Sequence, residues 1–133
     1  MGYLLDTNVC IMYINGRSTS VRDRILAVSP TDIVICSIVK FELTYGAMRA
    51  NNPTAALERQ RDFLSCFTSC SFDDRAAFIG GQVRAQLAQL GTPIGPYDLQ
   101  IASIALAHDL TLVTHNVREF ERVPDLRVED WEV

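Results

Sequence analysis

An α/β fold, with a parallel sheet covered by helices on both faces, is the architecture this chain encodes. Short apolar runs of strand length alternate with longer stretches of helical period, and cap or turn residues mark almost every changeover. The 133 residues, 48% hydrophobic and 21% charged, suffice to bury one core, and no Pro/Gly/Ser tract is long enough to act as a linker. One domain over residues 1–133 is expected, with disorder, collagen and coiled coil excluded.

Tyr3 to Asp6 is an apolar run closed by a carboxylate, and Asp6-Thr7-Asn8 offers caps for a helix over Val9 to Ile14. Gly16 stops that helix. Ser20 caps a second one over Val21 to Val28, and Ser29-Pro30-Thr31-Asp32 turns the chain into a strand from Ile33 to Cys36. Ser37 caps a helix over Ile38 to Ala50; Asn51-Asn52 ends it and Pro53 opens the next, over Thr54 to Phe67. Ser69 to Phe72 reads as a short strand, Asp73 as a cap, and Asp74 to Leu90 as a long helix closed by Gly91. The loop Thr92-Pro93-Ile94-Gly95-Pro96 then feeds a helix over Tyr97 to His108. A strand from Thr111 to Thr114, a turn at His115-Asn116, a brief helical turn to Phe120 and a last strand near Leu126 to Glu129 complete the chain. Ligands of such sheets collect at the carboxyl ends of the strands, which puts Asp6 and Thr114-His115-Asn116 on one rim.

A net charge of −4 gives no uniform basic field, and Lys40 is the only lysine among 12 basic residues. The longest apolar stretch of helical pattern, around Ile101 to Ala107, is far short of the roughly 20 residues of a membrane span. The N-terminus MGYLLD has no basic n-region, so a cytoplasmic protein is expected. Four cysteines, Cys10, Cys36, Cys66 and Cys70, are therefore read as free thiols acting as small buried hydrophobes, and no zinc-ligand spacing accompanies them. GxGxxG, GxxxxGK[ST] and GxSxG are all absent from the sequence.

Two carboxylates stand on inward faces. On a wheel centred on Lys40, Glu42 falls near about 200°, between an apolar group of Ile38, Phe41, Tyr45 and Met48 and another of Val39, Leu43, Gly46 and Ala50. In the later helix, Ile101, Ala102 and Ala105 lie within about 60° of Asp98, with Gln100 and Ser103 opposite. An inward carboxylate can be a cap or one half of a pair with Arg, but Arg49 lies roughly 10 Å along the axis from Glu42. The other solution is a shared cation. Asp6, Glu42 and Asp98 would converge on one rim as an oxygen-only set, which suits Mg²⁺ or Mn²⁺. Such an ion favours phosphate substrates and in-line cleavage of a phosphodiester. Asn116 can add a neutral ligand, Thr7 and Thr114 hydroxyls, and Glu119 lies one helical turn beyond; each has an ordinary reading as turn, strand or surface residue.

The segments YLLDTNVCI from Tyr3, FELTYGA from Phe41, GTPIGPYDLQIASIA from Gly91 and LTLVTHNVREFERVPDLRVEDW from Leu110 resemble the PIN-domain nucleases, and among them the VapC-type toxins of toxin–antitoxin pairs. The resemblance spans essentially the whole chain. It implies a PIN-like three-layer sandwich with a central, mainly parallel β-sheet, and a Mg²⁺- or Mn²⁺-dependent endoribonuclease. Asp6, Glu42 and Asp98 match the family's three acidic positions. Asn116 matches a fourth that is often Asp, so the ligand set carries one charge fewer, and Glu119 is the residue to compensate. The GTPIGPYD loop is like that of members that cut the anticodon stem-loop of initiator tRNA, which makes tRNA the first substrate expectation. The family further implies a homodimer and a cognate VapB antitoxin that inhibits it within a larger hetero-oligomer. By residue type, Arg17, Arg22, Arg24, Arg49, Arg118 and Arg122 are candidates for phosphate contacts, although most exposed arginines are simply solvated. Two other readings stay open: a metal-independent ribonuclease using His115, and a non-catalytic module whose acidic cavity holds a basic partner segment.

Overall fold

The computed structural model describes residues 2–133. Five strands, β1 (Tyr3–Leu5), β2 (Ile33–Cys36), β3 (Thr68–Cys70), β4 (Thr111–Val113) and β5 (Val128–Glu129), form one sheet in the order β3-β2-β1-β4-β5. Every pairing is parallel, so the sheet expected to be mainly parallel is wholly so. Among the described residues, seven α-helices and a short 3-10 turn (Pro30–Asp32) connect the strands: α1 (Thr7–Ile14), α2 (Thr19–Ala27), α3 (Ser37–Met48), α4 (Pro53–Leu64), α5 (Asp74–Gln89), α6 (Pro96–Ala107) and α7 (Val117–Phe120). The result is a three-layer α/β sandwich.

β1 lies at the centre of the sheet, and its Leu4 and Leu5 are fully buried, as are Ile33 of β2 and Leu112 and Val113 of β4. Strands covered on both faces need apolar residues at successive positions, which is why these runs are continuous rather than alternating. α1, α3 and α4 pack on one another, α5 lies along α6, and α6 also meets α3. That α5–α6 approach depends on Gly80, where a Cβ would come within 2.7 Å of the Ser103 hydroxyl.

Several local expectations are corrected. Ser18, not Ser20, caps α2 by accepting from the Val21 N–H, while Ser20 donates to the Trp131 carbonyl. Cys36 occupies the N-cap of α3, and Ser37 accepts instead from the Phe72 N–H, which lies beyond the end of β3. Phe41, Tyr45 and Met48 of α3 are exposed rather than inward, so only the Val39, Leu43 and Ala47 side of that helix enters the core. Ser103 of α6 is fully buried, because α6 is covered on nearly all sides. Asp73 does cap α5, accepting from the Ala76 N–H at 2.9 Å. Among the cysteines, Cys66 is exposed and Cys70 half-buried; Cys10 and Cys36 are core residues, and all four are free thiols.

Candidate active site

Because all five strands run the same way, their carboxyl ends share one rim. Asp6 follows β1 directly and doubles as the N-cap of α1, its Oδ1 accepting from the Thr7 N–H at 2.8 Å. Its Oδ2 accepts from the Thr114 hydroxyl at 2.8 Å, and Thr114, fully buried, follows β4. The Thr7 hydroxyl in turn donates to Glu42 Oε1 at 2.7 Å, which brings the α3 carboxylate to the start of α1.

The other half of the rim is built by the loop before α6 and by α7. Glu119 Oε1 accepts from the Gly95 N–H at 3.0 Å, and its Oε2 accepts from Asn116 Nδ2 at 2.6 Å. Asp98 hydrogen-bonds to Glu119. A Cβ on Gly95 would lie 3.6 Å from Asp98 Oδ2 and 3.9 Å from Glu119 Oε1, so the two carboxyls meet above that glycine. The Asn116 backbone N–H closes the ring by donating to the Thr114 hydroxyl at 3.0 Å.

The electrostatics follow from this crowding. Burial raises the Asp6 carboxyl above its ordinary value; the Thr114 and Thr7 bonds oppose the rise, and the charges of Glu42 and Glu119 add to it. Asp98 is pushed up to about 7, first by burial, then by the charges of Glu119 and Asp6, its bond to Glu119, and the charge of Glu42. Glu119 sits lower than usual: burial works against its charge, but the Gly95 N–H, the Asn116 amide, the Asp98 bond and the charge of Arg122 outweigh it. Among the described residues, none of the four carboxylates forms an ion pair with Arg, Lys or His. Carboxylates gathered without an internal cation fit a hard divalent ion, and the donor set is oxygen only.

The structure thus brings together Asp6, Glu42, Asp98, Glu119, Thr7 and Thr114. Asn116 enters as a donor that orients Glu119, with its exposed side chain amide turned toward that carboxylate. Glu119, read from sequence as a supporting residue, stands among the acids themselves. The Gly95 N–H is a contributor that sequence reading missed, though its place two residues before Tyr97-Asp98 was a signal. His115 faces elsewhere: its Nδ1 lies 3.0 Å from Asp130 Oδ2 and 3.8 Å from Glu132 Oε2. Of the candidate arginines, Arg24 pairs with Glu129 and covers the Trp131 ring, Arg122 donates to the Pro93 carbonyl, and Arg49 stacks on Tyr45. Beside Glu42 a cleft of about 260 Å³ runs between α1, α3 and α4, lined by Ile11, Ile14, Leu43, Gly46 and Arg59 among others.

An acid-lined rim on a wholly parallel, three-layer sheet defines the class, and comparison with known proteins agrees. The PIN domain model matches residues 3–126, so the chain belongs to the PIN-domain family. The tRNA(fMet)-specific endonuclease VapC of Salmonella typhimurium is 42% identical over 129 residues, 97% of each chain. The crystal structure of VapBC2 from Rickettsia felis bound to a promoter DNA fragment superposes with a TM-score of 0.92 at 38% identity, over 98% of this chain and 99% of that one. DNA-bound VapBC from Salmonella typhimurium gives the same TM-score at 41% identity, covering 98% of both chains. Within the family the chain is a VapC-type toxin of a VapBC system.

Proposed function

We propose that this chain is a divalent-metal-dependent endoribonuclease that cuts tRNA, with initiator tRNA as its substrate. The observation that carries the reading is the meeting of Asp6, Glu42, Asp98 and Glu119 at one rim with no ion-pairing side chain among them. The 42% identity to a tRNA(fMet)-specific endonuclease over nearly the full length supports the substrate.

Asp6, Glu42, Asp98 and Glu119 would hold Mg²⁺ or Mn²⁺, with Asn116 and Thr114 fixing their orientation. When bound, the ion supplies charge stabilisation at a phosphate oxygen and lowers the pKa of a water, so that hydrolysis leaves a 5′-phosphate. The chain's own residues prepare this. Thr7 and Thr114 occupy one oxygen each of Asp6 and so set the direction of its remaining lone pairs. Asp6 is buried, which limits water around its charge, while Asp98 is half-buried and stays open to substrate. Exposed Arg118, next to Glu119 in sequence on α7, offers a phosphate contact that positions the RNA backbone.

The partner is a VapB-like antitoxin, in line with the VapBC complexes that the chain resembles. The cleft beside Glu42 suits an apolar antitoxin segment ending in Arg or Lys, which would neutralise the acids in place of the ion. The exposed Phe41, Tyr45 and Met48 face supports a homodimer in solution.

The test incubates the purified chain with total tRNA in Mg²⁺ or in EDTA, mapping cut ends and their phosphates. Cleavage in Mg²⁺ alone with 5′-phosphate ends is expected, and Asp6→Asn or Asp98→Asn abolishes it in a folded protein. Undiminished cutting in EDTA, or by either variant, defeats the reading.

A further inference from the structure

A second group of metal-ligating side chains lies outside the acid rim. His115 Nδ1, Asp130 and Glu132 each offer an atom, and the three lie within 4.8 Å of one another. They come from two segments distant in sequence, the turn between β4 and α7 and the C-terminal tail after β5. We propose that His115, Asp130 and Glu132 form a separate binding site for Zn²⁺ or a similar borderline divalent ion, which ties the tail to that turn.

The donor set is the first argument. An imidazole nitrogen beside two carboxylates suits Zn²⁺ and its neighbours in the transition series, whereas Mg²⁺ and Ca²⁺ prefer oxygen alone. Spacing is the second. Zinc bonds of about 2.0–2.2 Å at a tetrahedral centre separate ligand atoms by about 3.4 Å. The Nδ1 to oxygen distances here are 3.0 and 3.8 Å, on either side of that value, so small side-chain rotations suffice.

Pre-organisation is the third. Trp131, between the two acids in sequence, is 1% exposed; its indole N–H donates to Glu129 Oε1 and its ring packs on Tyr3. Ser20 holds the Trp131 carbonyl at 2.7 Å, and Asp130 Oδ1 accepts from the Glu132 N–H at 2.9 Å. The opposite segment is fixed by the Thr114 N–H on the Glu129 carbonyl and the Asn116 N–H on the Thr114 hydroxyl. Both acids are largely covered, with side-chain exposures of 18% and 16%, and among the described residues His115 is their only ion-pair partner. The imidazole itself is 61% exposed, which leaves an entry path and room for a water as fourth ligand.

The site uses no side chain of the acid rim, and the test separates the two. ZnCl₂ is titrated by calorimetry into the purified chain with millimolar Mg²⁺ present, using wild type, His115→Ala, Glu132→Gln and Asp98→Asn. One Zn²⁺ per chain is expected in wild type and in Asp98→Asn, with affinity at least about tenfold lower in Glu132→Gln and about 100-fold lower in His115→Ala. Melting curves without metal check that the variants fold, and ZnCl₂ raises the melting temperature of wild type but not of His115→Ala. No uptake, uptake unchanged in His115→Ala, or uptake lost only in Asp98→Asn overturns the proposal.

Discussion

The Thr114 hydroxyl donates to Asp6 Oδ2 at 2.8 Å, joining residues 108 positions apart across the two central strands. The same hydroxyl oxygen accepts from the Asn116 N–H, so one buried atom orders the central carboxylate and the turn that carries Glu119's partner.

Thr114→Val removes both bonds while keeping the shape. It leaves the Asp6 oxygen and the Asn116 N–H short of a partner, and stability falls by about 1–3 kcal/mol in urea unfolding. Loss of a bond that favours the charged carboxylate raises Asp6 further, so the acid limb of the pH–activity profile moves to higher pH.

Asp98 holds its proton up to about pH 7 in the fold, against 3.8 for the free side chain. Between those values the folded chain carries a proton that the unfolded chain lacks. Its contribution to stability is complete below the unfolded value and is lost as pH rises through the folded one. In EDTA, the unfolding free energy therefore drops between about pH 4 and pH 7, and Asp98→Asn flattens the drop. If the rim holds Mg²⁺ as proposed, added Mg²⁺ stabilises more at the upper end, where Asp98 is deprotonated. Equal Mg²⁺ stabilisation at both pH values contradicts this.

Glu119→Ala frees the Gly95 N–H and removes one of the rim acids, so cleavage rate falls by about 100-fold or more. Asn116→Ala only releases the orienting bond and costs about tenfold. If the two losses were reversed in size, Asn116 would be the ligand and Glu119 its support.

Gly80→Ala drives a Cβ to 2.7 Å from the Ser103 hydroxyl and 3.4 Å from its Cβ. Ser103 is fully buried and already donates to the Leu99 carbonyl at 2.6 Å, so turning it aside forfeits that bond. The variant loses about 1–3 kcal/mol despite alanine's better helix propensity. Combining it with Ser103→Ala recovers part of the loss, measured as a double-mutant cycle.

Sheet and helix order could be read from the sequence because parallel strands and their covering helices leave different periods. What was not legible depends on neighbours. The apolar stripe of Phe41, Tyr45 and Met48 carries the same pattern as a core face, yet all three side chains stay exposed, with Tyr97 against Phe41 and Arg49 stacked on Tyr45. Ser103 looks like a polar outer residue until Gly80 lets α5 close over it. Ser18 and Ser20 are equally good caps by type, and only the position of Trp131 decides which one turns outward to another partner. At the rim, Asp6, Glu42 and Asp98 stood out as carboxylates adjoining apolar residues. Glu119 did not, because it owes its place to the Gly95 backbone rather than to any pattern of its own.

The central β1–β4 pairing has a consequence for biosynthesis. Asp6 is made first, but the strand that carries its hydroxyl partner leaves the ribosome only after more than a hundred further residues. A nascent chain that has not yet reached Thr114 lacks the hydroxyl that orders Asp6, so the rim is completed only when synthesis is nearly finished.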